Sequence, residues 1–284
     1  MSFVSSKEII LDAFENRYAV GAFAVHNLEL MKAVISGAES FNSPVILQTT
    51  PDTVRYMGLE YTVDAVKSLA GQSKVPVALH LDHGDTFKIA MQCLRAGYTS
   101  IMIDGSSLDF EENIVLVKKV AEASQAMGVP VEAELGAIAR NNGNGEKADR
   151  SHFTNPSLAE EFVLRTGIDF LAPSFGTVHG IYADEPDLDF HLLEKIRGAC
   201  GIPLVMHGAS GVCDEDIRKA IGCGISKINY STELKQAFSS ELRRYLTVHQ
   251  KASDPRKYFI TARECAEELV KEKIAVLLQS PKVL

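Results

Sequence analysis

The chain has no excess of basic residues to offer a nucleic acid. Its 29 Lys and Arg stand against 37 Asp and Glu, a formal charge of −8, and no Lys/Arg cluster is interleaved with aromatics. That balance excludes the electrostatic footprint of a nucleic-acid partner or of a protein drawn to an anionic membrane. Nor is there an apolar run of about 18 residues, the length a bilayer span requires. The opening "MSFVSSKEII" lacks the charged start and apolar centre of a signal peptide. Five cysteines, at 93, 200, 213, 223 and 265, form an odd set with no CxxC spacing. Secreted disulfide frameworks look different, so reduced thiols in a cytoplasmic protein are expected. Linker-like Pro/Gly/Ser stretches are missing too, so residues 1–284 are expected to form one domain, with 250–284 a helical C-terminal extension. No GxGxxG follows the first apolar run, "AVGAFAVHN", which argues against an open dinucleotide-binding sheet.

What is present is an alternation. Short β-rich apolar runs fall at 18–25, 44–50, 76–83, 100–105, 129–136, 169–176, 202–210 and 226–232. Helix-period segments separate them, such as "FEENIVLVKKVAEASQAMG", with apolar residues 114, 117, 120 and 121 on one face. Strands alternating with helices pair in parallel, because each return needs a crossover. Eight such units predict an α/β fold of the (β/α)8 TIM-barrel type.

In that fold the chemistry sits where the C-terminal ends of the strands meet. The predicted strands deliver Gln48, Thr49 and Thr50; His80, Asp82 and His83; Asp104; and Glu132 and Glu134 to that rim. His179 and His207 follow on the sixth and seventh units, and Asn229, Ser231 and Thr232 on the eighth. The opposite strand ends carry little chemistry. Three histidines from different strands, His83, His179 and His207, each followed by Gly, suit a catalytic zinc with open positions. His80 is expected to orient one of them. Asp82, beside His83, is the candidate acid/base. Asp104 and Glu134 are candidates for a second cation position or for tying down the first. "HGASG" and "NYST" place small residues and the hydroxyls of Ser210, Ser231 and Thr232 where barrels bind phosphate. Ser231–Thr232 also reads as an N-cap, as does Asp85 for the helix that follows it. Lys227 leaves open amine catalysis through a Schiff base.

The motifs "LHLDHG", "MIDGS", "FEEN", "VEAELG", "GTVHGIY", "PLVMHGASG", "KINYSTELKQAF" and "DPRKYF" follow one another in this order. In that order they resemble the class II, zinc-dependent ketose-bisphosphate aldolases, and most closely the tagatose-bisphosphate branch. The resemblance implies that His83, His179 and His207 hold zinc, that Asp82 moves the proton, and that a zinc-stabilised enediolate is formed. It implies that Gly180, Gly208, Ala209, Ser210, Asn229, Tyr230, Ser231 and Thr232 bind dihydroxyacetone phosphate, with Gln48 and Thr50 near its phosphate. Arg256 matches an arginine that reaches the other phosphate across a subunit interface. A homodimer or homotetramer and a bound monovalent cation are further implications. The chain departs from the family at three places. "AIARNNGNGEKADRSH" replaces a loop bearing a proton-transferring Glu, for which Glu146 is a displaced candidate. Ala24 stands where an asparagine is usual. "APSFGTVHG" and "NYST" differ from the usual tagatose motifs. Fructose bisphosphate, tagatose bisphosphate, another phosphorylated ketose and a weakly active sugar-phosphate-binding paralogue all remain open at this level.

Overall fold

The computed structural model describes residues 2–139, 148–180, 182 and 184–279. Eight strands close into a barrel in sequence order, each paired in parallel with the next: β1 (Val20–Ala24), β2 (Val45–Thr49), β3 (Val77–Gly84), β4 (Ser100–Ile103), β5 (Val131–Leu135), β6 (Phe170–Pro173), β7 (Leu204–Met206) and β8 (Ile225–Tyr230). The predicted eightfold barrel is therefore the observed one. The helix Phe110–Gln125 buries Ile114, Val117, Val120 and Ala121, the face read from the sequence. The predicted seventh strand is shorter than its apolar run, ending at Met206, because Gly208 turns the chain at φ 67. No helix among the described residues is long and apolar enough to cross a membrane.

Strand alternation sorts the side chains into two sets. Val45, Leu47, Val77, Leu79, Leu81, Ile101, Ile103 and Tyr230 point outward, into the main core shared with the helices. The inner set begins as an apolar floor of Val20, Ala22, Ile46, Ala78, Phe170 and Val205, covered by Ile9, Ile10 and Ala13 of the helix Ser6–Asn16. Above this floor the interior turns polar: His80, Glu132 and Lys227 are fully buried there. Beyond β8 the chain continues as the helices Thr232–Val248 and Pro255–Leu277. The second of these packs on the first and on the helix Leu28–Glu39, burying Ala262, Ala266, Val270 and Ile274.

One irregularity matters for the site. The β3–β4 register shifts between Leu81 and Gly84, and His83 adopts a left-handed φ of 48. A regular strand would aim Asp82 and His83 at opposite faces; the bulge turns both to the inside. Gly84 makes the bulge feasible, because a Cβ there would stand 2.5 Å from the Met102 carbonyl oxygen and 2.9 Å from Leu81 Cδ2. Gly84→Ala should therefore destabilise the chain by about 2–3 kcal/mol, read as a lowered midpoint in urea unfolding at unchanged slope.

Candidate active site

His83, His179, His207 and Glu134 come together at the C-terminal mouth of the barrel, with one ligand atom from each lying within 4.8 Å of the others. Two of the imidazoles are clamped from outside. His83 donates from Nδ1 to Asp104 Oδ2 at 2.7 Å, and His207 from Nε2 to Glu132 Oε1 at 2.8 Å. Since a carboxylate only accepts, the remaining nitrogens, His83 Nε2 and His207 Nδ1, are the ones that hold the lone pair when each ring is neutral, and they face each other at 3.2 Å. His179 packs edge-on to both rings, with centroids 5.0 and 5.7 Å away. Glu134 Oε2 lies 3.6 Å from His207 Nδ1 and is buried without a hydrogen bond.

Beside this cluster lies a cavity of about 280 Å³, lined by Gln48, Thr50, Asp82, His83, His179, Gly180, Gly208, Ser210, Asn229, Ser231, Thr232 and Lys235. Asp82 is held from two sides: Gln48 Nε2 donates to Oδ2 and Asn229 Nδ2 to Oδ1, both at 3.1 Å. Its Oδ1 is 4.0 Å from His83 Nε2. The side-chain oxygens of Gln48 and Asn229 are buried and unpartnered, two spare acceptors beside the carboxylate. Gly208 brings the β6 and β7 loops together, since a Cβ at its φ of 67 would strike the Val178 carbonyl at 2.4 Å. On the far side, Ser231, Thr232 and Lys235 occupy the first turn of the helix Thr232–Val248, which offers backbone amides and a cation to an anion.

The sequence matches the family described as "Fructose-bisphosphate aldolase class-II" over residues 4–282. The chain belongs to that family. It is similar to the YdjI aldolase of Escherichia coli K12, with 36% identity, a TM-score of 0.86 and 97% of each chain covered. A fructose-bisphosphate aldolase from Campylobacter jejuni, 23% identical, shares the fold at a TM-score of 0.82 over 97% of this chain and 95% of its own.

As a class II aldolase the chain belongs to a zinc-dependent group of lyases, and its donor set fits such an ion. Two imidazoles have their outer nitrogens occupied by carboxylates, the arrangement by which proteins aim histidines at a metal. The orphaned Glu134 oxygen points into the same position. Asp104 thus serves as the orienting partner of His83 and lies outside the cluster, whereas Glu134 shares one position with the histidines instead of marking a second.

Several sequence-level expectations are corrected. Tyr230 does not face the cavity: as an outward residue of β8 it is buried against Phe23, ring centroids 5.5 Å apart. Ala209 likewise packs into the outer core and contributes no side chain to the cavity. His80 hydrogen-bonds neither His83 nor His207; it bonds Ser100 Oγ through Nδ1 at 2.7 Å and lies one layer deeper. The cap of the helix Phe87–Ala96 is Thr86, not Asp85. Ser231 sits at an N-cap position but makes no side-chain capping bond, whereas Thr50 does cap the helix Pro51–Met57. Lys227 Nζ is sealed inside the barrel, 2.7 Å from Glu132 Oε2 and fully buried, which rules out a Schiff base with a substrate in the cavity. Arg256 is exposed, pairs with Asp254 and does not line the cavity of its own chain. Glu146 lies outside the described residues. Lys235, by contrast, was not singled out in the sequence, although its spacing of three residues from Thr232 puts both on one helix face.

Burial lowers the pKa of His83, but the Asp82 charge and the Asp104 bond outweigh it and hold the group near 9. Burial, with the Asp104 charge, pushes Glu134 up to about 8. Asp82 moves the other way: burial opposes its ionisation, yet the charges of His83, His207 and Lys227 keep it a carboxylate. A metal must displace the protons on His83 and Glu134, so its affinity rises with pH through this range and falls on acidification. Zinc affinity, read by chelator competition, should weaken by about ten- to a hundredfold per unit as pH drops from 8 to 7.

Proposed function

We propose that the chain reversibly cleaves a ketose 1,6-bisphosphate, of fructose or tagatose configuration, to dihydroxyacetone phosphate and glyceraldehyde 3-phosphate. The observation that carries this reading is the placement of Asp82. It is a buried carboxylate held by two amides beside a three-histidine cluster, on a cavity whose far wall is built for an anion. His83, His179 and His207 would hold a zinc ion, which would supply a Lewis acid for the ketose carbonyl.

The protein's own groups do the rest. In cleavage Asp82 accepts the proton of the C4 hydroxyl as the C3–C4 bond breaks; the bonding pair stays with the three-carbon fragment, whose carbon takes a proton from solvent to give dihydroxyacetone phosphate, and Asp82 releases its own. In condensation it returns that proton to the aldehyde oxygen. Gln48 and Asn229 fix the carboxylate so that one oxygen meets the hydroxyl. Gly180, Gly208, Ser210, Ser231, Thr232 and Lys235 hold the phosphate of the three-carbon unit, which fixes the reacting carbons against the base. The exposed guanidinium of Arg256 is available to the second phosphate of a site on another copy, in a homodimer or homotetramer. Ala24, buried at the end of β1, offers no polar group where the family has an asparagine. That substitution favours a second reading, in which the substrate is a different phosphorylated ketose.

Coupled assays on both bisphosphate epimers, run side by side on zinc-loaded protein, test the proposal. Chelation should abolish cleavage and zinc or cobalt restore it; full activity after complete metal removal would overturn the reading. Asp82→Asn should lower kcat by about 10²- to 10⁴-fold. Lys235→Met should raise KM by about tenfold and leave kcat largely intact, consistent with loss of one charge-assisted contact to phosphate.

A further inference from the structure

A fully buried ion pair stands directly beneath the site. Lys227 Nζ contacts Glu132 Oε2 at 2.7 Å, and neither side chain has any exposed surface. Neither group touches the cavity or bonds Asp82. The layers around them show that the barrel interior accepts aliphatic and aromatic residues: Val205, Phe170 and Ala172 fill neighbouring inner positions. A buried charge pair is commonly no more stable than such packing, so core stability alone does not account for it.

Its connections do. Glu132 divides its two oxygens: Oε2 to Lys227, Oε1 to His207 Nε2 at 2.8 Å. Lys227 is in turn braced from below by His80 Nε2 at 3.4 Å, while His80 Nδ1 meets Ser100 Oγ at 2.7 Å. Ser100 closes onto Ser6 Oγ at 2.8 Å, on the helix that floors the barrel. The line from Ser6 to His207 thus runs from the rigid floor of the barrel to one imidazole at its mouth.

We infer that Lys227 is a positioning residue for the metal site: by anchoring one oxygen of Glu132 it aims the other at His207 Nε2 and turns His207 Nδ1 toward the metal position. The inference rests on the reading of His207 as a metal ligand. Without the amine, the Glu132 carboxylate is free to rotate, and the imidazole loses its fixed tautomer and ring plane.

The test measures metal binding directly, on the full chain, by zinc competition with a chromophoric chelator and by the visible spectrum of the cobalt-substituted protein. His207→Ala first checks the underlying reading: if it binds zinc as the unaltered protein does, His207 is no ligand and both claims fall. Given a His207-dependent site, Lys227→Met should weaken zinc binding by about 10- to 100-fold and shift the cobalt bands, with the chain still folded by circular dichroism. Unchanged affinity and an unchanged cobalt spectrum in folded Lys227→Met would overturn the inference alone. Should that variant not fold, Lys227→Met combined with Glu132→Gln removes both charges together and is expected to show the same loss and shift. If the double variant binds like the unaltered protein, or also fails to fold, Lys227 serves only the core and the positioning role is refuted.

Discussion

The site depends on two hydrogen bonds that face away from it. Asp104 accepts the Nδ1–H bond of His83 and Glu132 the Nε2–H bond of His207, so on the neutral rings it is the opposite nitrogens that present lone pairs to the same point. Remove either carboxylate and the ring beside it is free to carry its proton inward, where it would repel a cation. The barrel makes the two clamps possible together because Asp104 follows β4, beside β3, and Glu132 lies inside β5, two positions around the wall from His207. Each clamp therefore joins separate strands, and the closed sheet sets the distance between them.

The bulge in β3 is the second element of the arrangement. Without it His83 would leave the interior, and Asp82 would sit beside an empty strand tip. With it, one strand delivers both a base and a ring to one mouth, at the cost of a left-handed residue and a glycine whose replacement would push against the Met102 carbonyl. The polar layer below is a further concession. A barrel interior packs well with apolar residues, and this one does so at its floor; it gives up that packing in the layers where His80, Glu132, Lys227 and Asp82 are needed to hold the mouth in order.

Much of this is legible in the sequence. The eightfold alternation predicted the closed barrel, and the concentration of polar residues at one set of strand ends located the site, because parallel strands in a barrel carry all their C-terminal ends to one rim. His83, His179, His207 and Asp82 followed from that placement. What escaped were facts of parity and contact. Tyr230 lies between two inward-leaning polar residues in the sequence, yet strand alternation sends it outward. Asp104 and Glu134 read as equivalent spare carboxylates, but one grips a ring nitrogen while the other joins the cluster. The partnership of Glu132 with Lys227, 95 residues apart, rests on a strand register that a linear sequence does not display. Arg256 lies exposed and outside its own chain's cavity, a placement that its position in the sequence does not display.

The central claim is that the outer carboxylates force the inner nitrogens of His83 and His207 onto one metal ion. A crystal structure of the zinc-loaded protein, with anomalous differences collected at the zinc edge, tests it most directly. The account predicts one strong peak bonded to His83 Nε2, His179 and His207 Nδ1 at about 2.0–2.1 Å, with the Asp104 and Glu132 bonds intact. A peak elsewhere, or ligation of His207 through Nε2, would contradict it.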